Sequence, residues 1–509
     1  MGDIDKILDS LNSNQKEAVY TKSKQLLCLA GAGTGKTHTL ISRMLYTTEV
    51  LKADPQSILA LTFTNNAGCE MKSRFSSNSN TNSSNVNSIP FFGTFHSFCY
   101  KILIENVSIR NKLGYKDIPS IVDESQEAFI LNKAKLFCNV KLPANKCKIT
   151  YCPSSKEKFE FQVLQKTIGK LLKQQNSITF DRLCYGVCNL FKSNDKDVQR
   201  YLNQYKYVYV DEFQDTDSLQ WEFVKSFLNR SSIFLVGDIR QCIYQFRGSN
   251  SGIIKSLVKA GNWDIVQLTE NYRSTVEICD YANQIASQYN DEISELKLQA
   301  YKHGTSPQIL DASDFNQNLN KHLKNIDTSC AILCRTNKEV QKISNQLDAI
   351  GIKYTTKCKN RLEQLVKCAI DHNYKRDYLL SLLPAKDQTV FMKLCLIDSN
   401  YDPLKDLELQ FKEIMNDITE IKELDEYAQI KMLYDLGELK LQDISKLEVN
   451  SIKGLYVGTI HSVKGLEFDS VFVYGINSPT FKINQSEELM HLYYVACTRA
   501  MNKLTLIFE

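Results

Sequence analysis

The feature that most constrains the fold is the stretch KQLLCLAGAGTGKTHTLISRML at residues 24–45, where an apolar run meets a glycine-rich turn and a helical pattern. A strand, a glycine turn and a helix in this order start a unit in which parallel strands alternate with crossover helices. Glycines in the turn let backbone N–H groups point at an anion beside the helix N-terminus. We therefore predict a loop that binds the phosphates of a nucleotide, formed by Ala30, Gly31, Gly33, Thr34, Gly35, Lys36 and Thr37.

Two residues of this loop are expected to carry chemistry. Lys36 would reach the β- and γ-phosphates, and the Thr37 hydroxyl would take a position beside Mg²⁺. Ala30 stands where the usual pattern has its first glycine, and a side chain this small is expected to be tolerated. The Lys-Thr pair and the strand–helix setting argue against a chance glycine-rich turn.

A second apolar run, in VYVDEFQDT at residues 208–216, stops at two adjacent carboxylates, Asp211 and Glu212. Two acids at the end of a buried strand repel each other and lose solvation, so they require a compensating positive charge. We predict that Asp211 faces Mg²⁺ bound with the nucleotide and that Glu212 polarises the attacking water as a general base. A structural acid pair capping a helix is the alternative, but it does not explain why the pair ends a strand.

Strand-like apolar runs recur along the chain and alternate with helical stretches. They lie at 57–63, 206–212, 232–238, 330–336 and 469–476. Helical periodicity replaces them between about 100 and 200 and again between about 358 and 452. The pattern predicts an α/β protein with two parallel-sheet cores, each carrying a mainly helical insertion.

Composition restricts the class of protein. With 43% hydrophobic and 24% charged residues, the chain is typical of a soluble globular protein. Its apolar runs are far shorter than the ~20 residues of a membrane helix, and the polar N-terminus lacks a secretory signal.

The 16 cysteines lack the paired spacing of zinc sites, so we expect buried, reduced thiols and a cytoplasmic location. A formal net charge of +4 predicts that any nucleic acid is held in a local groove.

Further motifs follow one another along the chain, in the order LNSNQ, LTFTNNAGCEM, GTFHSF, VDEFQDT, VGDIRQCIYQFRGS, LTENYRST, GTIHSVKGLEF and LYYVACTRA. With these motifs the sequence resembles the UvrD/Rep family of superfamily 1 DNA helicases over nearly its whole length. The resemblance implies two RecA-like motor cores, 1A and 2A, with insertions 1B and 2B, and single-stranded DNA crossing both cores. The expected segments are 1–98 and 204–267 for core 1A, 99–203 for 1B, 268–357 and 454–509 for core 2A, and 358–453 for 2B.

The resemblance also implies roles at the nucleotide. Gln15 would read the adenine edge, Tyr272 would stack on the base, and Glu467 would contact the ribose. Gln241 would sense the γ-phosphate, and two arginine fingers from the second core, Arg273 and Arg499, would stabilise the transition state. His38 replaces the arginine that usually helps to sandwich adenine, so weaker ATP binding or relaxed base choice is expected.

For the nucleic acid strand, the resemblance implies a set of aromatic and polar contacts, which are Phe63, Thr64, His96, Tyr244, Phe246, Arg247 and His461. Aromatic faces suit stacking that does not depend on base sequence. Taken singly, each aromatic residue is more often part of a core, and each histidine more often structural. Lys464 is expected either to bridge the nucleotide and DNA sites or to form a salt bridge within core 2A.

Three readings of the function follow. The first is an ATP-driven single-stranded DNA translocase and 3′-to-5′ helicase, whose short 2B insertion and short tail put strong unwinding in doubt. The second is a motor or ATP-sensing subunit serving a partner nuclease, as in antiphage systems of the Gabija type. The third is a scaffold with a nucleotide sensor, which the complete set of Gln241, Arg273 and Arg499 argues against. RNA is an alternative substrate to single-stranded DNA, because base stacking does not exclude a nucleotide with a 2′-hydroxyl.

Overall fold

The computed structural model describes residues 3–79, 89–122, 124–143, 146–151, 153–245, 248–288, 296–323, 328–356 and 454–509. These residues form two compact units. The first unit comprises residues 1–307 with 483–502, and the second comprises 308–482 with 503–509.

The first unit is built on a six-stranded sheet in the order β3-β2-β6-β7-β1-β8, in which every neighbouring pair is parallel. Its four inner strands, β2, β6, β7 and β1, are apolar and almost wholly buried, as expected for a parallel sheet covered on both faces. They span Gln25–Ala30 (β1), Ile58–Thr62 (β2), Phe91–Thr94 (β3), Tyr207–Val210 (β6), Ser232–Gly237 (β7) and Asp264–Leu268 (β8).

The register brings the carboxyl ends of these strands to one edge. Leu29 at the end of β1 lies opposite Gly237 at the end of β7, and Val210 at the end of β6 lies opposite Leu235. Because the strands are parallel, the segments that follow β1, β2, β6, β7 and β8 all leave the sheet at this edge. Ligands of open α/β sheets bind outside such an edge.

The second unit is built on a second six-stranded sheet, in the order β11-β12-β10-β13-β14-β9. Four of its strand pairs run in parallel, namely β11–β12, β12–β10, β10–β13 and β14–β9. The strands span Gln308–Asp311 (β9), Ser329–Cys334 (β10), Tyr354–Thr356 (β11), Gly454–Thr459 (β12), Phe468–Ile476 (β13) and Ala500–Phe508 (β14). Each of the two sheets packs on a hydrophobic cluster of its own.

Helices flank the strands of both units. In the first unit they are Asp3–Asp9 (α1), Ser13–Tyr20 (α2), Lys36–Leu45 (α3), Asn65–Asn78 (α4), Ser218–Lys225 (α11), Gly252–Ala260 (α12), Val276–Ser287 (α13) and Glu487–Cys497 (α17). Within the described part of the second unit they are Ala312–Gln317 (α14), Leu319–His322 (α15) and Asn337–Ala349 (α16).

Between β3 and β6 the chain is mainly helical, as the sequence predicts. The helices are Phe95–Glu105 (α5), Val107–Lys112 (α6), Glu124–Cys138 (α7), Lys158–Gln174 (α8), Phe180–Phe191 (α9) and Lys196–Asn203 (α10). The two-residue strands Ser120–Ile121 (β4) and Ser177–Ile178 (β5) pair in parallel, and a separate apolar cluster holds α7 and α8 together.

The predicted fold class is confirmed, with parallel sheets at the predicted apolar runs. The predicted second insertion, 358–453, lies outside the described residues, and the limits of the six predicted segments stay predictions. Of the twelve cysteines in the described residues, ten are buried. Among the described helices, none combines the length and the apolar character that crossing a bilayer requires.

Candidate functional site

The loop between β1 and α3 has the geometry of an anion cradle. Gly33 and Gly35 have φ values of +71° and +80°, in the left-handed region that suits glycine. A Cβ atom at position 33 would lie only 2.8 Å from Cβ of Arg273, so glycine is also required there for space. Helix α3 begins at Lys36, and the loop therefore presents the N-terminus of a ten-residue helix to the edge of the sheet.

Side chains of the loop bond back to its own backbone. Thr34 Oγ1 donates to the carbonyl oxygen of Gly31 at 2.8 Å, and Lys36 Nζ donates to the same oxygen at 3.3 Å. Desolvation lowers the pKa of Lys36, while Glu212 and Asp238 act in the opposite direction. An ammonium group that has lost solvation beside a helix N-terminus fits a ligand with several negative charges.

Asn271 clamps this loop, and the sequence reasoning missed it. Its Nδ2 donates to the carbonyl oxygen of Ala32 at 2.7 Å, while its Oδ1 accepts from the N–H groups of Arg273 at 2.9 Å and Ser274 at 2.7 Å. The N–H of Tyr272 adds a bond to the carbonyl oxygen of Gly33 at 2.9 Å. The ENYRS segment therefore fixes the loop, and an asparagine directly before the predicted site residues Tyr272 and Arg273 was the available signal.

The two residues predicted to hold Mg²⁺ lie side by side. Thr37 Oγ1 donates to Oδ2 of Asp211 at 3.2 Å, although 174 positions separate the two residues. Burial and, after it, the charge of Glu212 together raise the pKa of Asp211 to about 7, against opposing effects of the Glu212 N–H, Lys36 and Thr37. A buried carboxylate whose ionised form is so disfavoured fits a divalent cation, and carboxylate and hydroxyl oxygens are ligands that Mg²⁺ accepts.

Glu212 adopts a strained backbone conformation. Its φ of 50° and ψ of 42° are left-handed, which is uncommon for a residue other than glycine and recurs at functional sites. The N–H of Glu212 donates to Oδ1 of Asp211 at 2.9 Å, which holds the turn after β6. The two adjacent carboxylates therefore have different partners: Asp211 is bonded by Thr37, and Glu212 is bonded by Gln214.

Gln214 links this acid to the next strand, and the sequence reasoning missed it too. Its amide nitrogen donates to Oε2 of Glu212, and its Oε1 accepts from the N–H of Asp238 at 3.0 Å. Gln214 is fully buried. The side chain therefore couples the ends of β6 and β7, the strands that carry the acid pair and Gln241.

Gln241 continues the network to an arginine. Its Nε2 donates to Oδ2 of Asp238 at 2.9 Å, and its Oε1 accepts from NH2 of Arg499 at 3.2 Å. Burial opposes ionisation of Asp238, but the charges of Arg240 and Lys36 outweigh it and lower the pKa of this carboxyl. Arg499 is 2% exposed, so its charge acts in a medium of low dielectric.

The second predicted arginine lies near the first. NH1 of Arg273 donates to the carbonyl oxygen of Thr498, the residue directly before Arg499, at 3.3 Å. Ser274 Oγ donates to the carbonyl oxygen of Ala500 at 2.6 Å, which fixes the two segments together. Both arginines belong to the same compact unit as the phosphate-binding loop, and their assignment to core 2A stays a prediction.

The residues predicted to surround adenine lie next to the loop. Gln15 is buried, and its Nε2 donates to the carbonyl oxygen of Thr34 at 3.2 Å. Asn12 Nδ2 donates to the hydroxyl of Tyr272 at 2.8 Å, and Tyr272 is 58% exposed. His38 is exposed on α3, and partial desolvation together with Arg74 lowers its pKa.

Two of the predicted strand-binding aromatics meet. The rings of Phe63 and Tyr244 are stacked, with centroids 5.0 Å apart and planes 18° from parallel. Both rings are partly exposed. They follow β2 and β7, so this aromatic pair belongs to the same edge of the sheet as the nucleotide residues.

The other predicted strand contacts are more dispersed. His96 packs edge-on against Phe180 at 5.3 Å, and Thr64 Oγ1 caps α4 by accepting from the N–H of Ala67 at 3.2 Å. Phe246 and Arg247 lie outside the described residues.

Three predicted residues belong to the second unit. His461 lies in the short helical turn Ile460–Val463 after β12, and Lys464 follows this turn. Glu467 is exposed and directly precedes β13.

The arrangement can hold a triphosphate and hydrolyse it. A glycine cradle and Lys36 suit the phosphates, Thr37 and Asp211 suit a divalent cation, and Glu212 suits an attacking water. A buried arginine bonded to a glutamine can place positive charge where negative charge develops. Among the described residues, no cluster of three or more histidine, cysteine or acidic side chains forms a separate metal site.

Comparisons with known proteins agree with this geometry. The family model of the UvrD/REP helicase N-terminal domain matches residues 11–262, and that of the UvrD-like helicase C-terminal domain matches 266–362 and 354–509. A probable DNA helicase II homolog of Mycoplasma capricolum is 28% identical, with 99% of this chain and 85% of the relative covered. DNA helicase II of Haemophilus influenzae is 25% identical, with 100% of this chain and 85% of the relative covered.

A third relative is similar over a shorter range. The ATP-dependent DNA helicase Rep of Buchnera aphidicola is 30% identical, with 67% of this chain and 54% of the relative covered. The two family models follow each other without a long gap and together extend from residue 11 to residue 509. The chain belongs to the UvrD/Rep family of helicases, as its motifs predicted.

Proposed function

We propose that the chain is an ATP-driven translocase on single-stranded DNA that unwinds duplexes in the 3′-to-5′ direction. Family membership makes the enzyme class an ATP-dependent DNA helicase. The observation that supports the proposal most is the network at the edge of the first sheet. It runs from Glu212 through Gln214, Asp238 and Gln241 to Arg499.

In the proposed reaction the loop residues bind and orient ATP. Backbone N–H groups at the start of α3 and the ammonium of Lys36 hold the phosphates, and Gln15 and Tyr272 lie where the adenine would be recognised. Mg²⁺, held by Thr37 and Asp211, would neutralise charge on the β- and γ-phosphates. Glu212 accepts a proton from the attacking water, and Arg499 and Arg273 stabilise charge on the transferred group.

The network also supports coupling between hydrolysis and the DNA strand. Gln241 bonds Arg499, and Tyr244 lies three residues further along the same segment. A change at the terminal phosphate that alters the Gln241–Arg499 bond can therefore shift the aromatic pair of Phe63 and Tyr244. Stacking of bases on such a pair does not depend on sequence, which suits a translocase. An activity of this kind fits the cytoplasmic location predicted from the sequence.

Two assays test the proposal. ATP hydrolysis is measured with and without short single-stranded DNA, and stimulation by the strand is expected. Unwinding is measured on duplexes with a 3′ or a 5′ tail, and only the 3′-tailed duplex should separate. Unstimulated hydrolysis would contradict a DNA motor, whereas preference for the 5′ tail would contradict only the direction. Single-stranded RNA of the same sequence tests the choice of strand.

A role beside a partner nuclease stays a prediction. It would be favoured if the purified chain translocates along single strands but separates no duplex until a nuclease encoded beside it is added. Displacement of a tightly bound protein from the strand end reports translocation independently of unwinding. Efficient unwinding by the chain alone would count against this role.

A further inference from the structure

Helix α7 of the insertion exposes large apolar side chains. Phe129 is 64% exposed, Leu136 84% and Phe137 69%. Single exposed apolar residues are common, but three on one short helix form a patch of the kind that marks an interaction surface.

The exposed residues lie along one side of α7. Phe129, Lys133, Leu136 and Phe137 have the spacing i, i+4, i+7 and i+8, which places side chains on a common stripe of a helix. We call these four residues the α7 stripe. The neighbouring side of the helix, with Ile130 and Ala134, is buried against α8 in the insertion's own cluster. The α7 stripe is therefore not needed to hold α7 in the fold.

The part of the insertion that contains α7 and α8 has a strong net positive charge. Residues 124–174, which contain α7 and α8, have ten lysines and four glutamates, a net charge of +6, whereas the whole chain has only +4. Nζ of Lys133 lies 6.0 Å from the ring centroid of Phe137, so positive charge lies within the α7 stripe itself. Of the four glutamates, Glu157 is already paired with Lys146 at 2.6 Å.

The apolar side chains of the α7 stripe favour a protein partner over nucleic acid. Contacts with nucleic acid rely on charged and polar donors to phosphates and on aromatic stacking, and a protruding leucine contributes to neither. A partner helix that lies in a groove, in contrast, is recognised through apolar residues at helical spacing. Lys133 within the α7 stripe, together with the net positive charge of residues 124–174, complements acidic residues on the flanks of such a helix.

We propose that the α7 stripe docks an amphipathic helix of a partner protein, with leucine-like residues on its apolar face and acidic residues on both sides. Phe129, Leu136 and Phe137 contact the apolar face, and Lys133 pairs with a flanking carboxylate. The inference is independent of the direction and strength of unwinding.

Binding of a designed probe tests the proposal. The full-length protein is titrated into a fluorescein-labelled peptide of about 20 residues, with leucine at helical spacing on one face and glutamate on the others. Binding is expected by fluorescence anisotropy, and the affinity should fall as salt concentration rises. The double variant Leu136→Ser, Phe137→Ser and the single variant Lys133→Glu should each weaken binding by roughly tenfold or more. A peptide with lysine in place of glutamate should not bind.

The control is Ile309→Ser, which removes an apolar side chain of similar exposure, 69%, from the edge strand β9. It should leave peptide binding unchanged. Should the double variant lose stability, Leu136→Ser alone serves, because this side chain is the most exposed of the three. Equal binding by all variants overturns the proposal. If the stripe variants instead lose only duplex DNA binding, the proposal is overturned and the surface binds nucleic acid. If they lose only concentration-dependent self-association, it is overturned and the surface binds a second copy of the chain.

Discussion

The guanidinium of Arg499 donates a hydrogen bond to Oε1 of Gln241 at 3.2 Å, and these residues are 258 positions apart. The bond joins the end of α17 to the segment after β7, at the edge where the phosphate-binding loop begins. An arginine at such a position can respond to the terminal phosphate and report its state to the glutamine.

Removing this arginine should impair the chemical step. We expect Arg499→Ala to lower kcat for ATP hydrolysis on the order of a thousandfold, because arginine fingers of other nucleotide hydrolases contribute at least that much. Arg499→Lys should restore little, since an ammonium lacks the planar fork of donors. Arg200→Ala in α10 is the control and should keep kcat. Equal rates for Arg499→Ala and this control would remove Arg499 from the mechanism.

Substituting the proposed base should separate binding from turnover. Glu212→Gln keeps the size of the side chain and can still bond Gln214, so ATP affinity should change little. Turnover should fall by at least a hundredfold, because the amide cannot accept the proton of the attacking water. Equilibrium binding of ATP and single-turnover hydrolysis are the two measurements. Retained single-turnover hydrolysis would show that another group is the base.

The clamp on the loop should act mainly on nucleotide affinity. Asn271→Ala removes three hydrogen bonds, to Ala32, Arg273 and Ser274, and should weaken ATP binding by roughly tenfold or more. Asn271→Asp keeps the two accepted bonds and loses only the donor to Ala32, so its affinity should lie between those of the wild type and the alanine variant. Isothermal titration measures both. An unchanged affinity for Asn271→Ala would mean that the loop holds its shape without the clamp.

The aromatic pair should contribute to strand binding. Tyr244→Ala is expected to weaken single-stranded DNA binding by ~1–3 kcal/mol without changing ATP affinity in the absence of DNA. Phe63→Ala should have a similar effect. If the two rings form one stacking surface, the double variant should lose less than the two single losses added together. Tyr20→Ala, at an exposed ring on α2, is the control, and a loss equal to that of Tyr244→Ala would indicate a nonspecific effect.

One buried histidine makes stability depend on pH. Nδ1–H of His491 donates to the carbonyl oxygen of Cys242 at 3.0 Å, and burial lowers the pKa of this imidazole below its ordinary value of 6.5. Glu487, Asp238 and Lys255 are the charged groups that act on it, and they do not reverse this direction. The folded chain therefore binds fewer protons than the unfolded chain just below that value, and stability should fall as pH decreases through it.

Urea denaturation from about pH 7 to about pH 5 measures this effect. The free energy of unfolding should decrease less steeply for His491→Gln than for the wild type, because the variant has no imidazole to protonate. Identical slopes for the two proteins would mean that other groups cause the pH dependence.

The sequence by itself determined the elements whose signals are local. The glycine spacing of residues 30–37 predicted a phosphate-binding loop. Gly33 and Gly35 have left-handed φ values, which glycine adopts at low cost because it lacks a Cβ atom. Buried apolar runs predicted the parallel strands, and helical periodicity predicted the insertion between β3 and β6. The motif order also predicted the family, because a chain of short motifs identifies relatives even at low overall identity.

Only the tertiary structure decided which of these residues bond one another. Thr37 meets Asp211 and Asn271 meets Ala32 because parallel strands far apart in sequence deliver their carboxyl ends to one edge in the order β2-β6-β7-β1-β8. Gln241 meets Arg499 because α17 packs against the segment that follows β7. No local pattern encodes the strand order. It results from burying the apolar faces of all the strands together, which is a property of the whole chain.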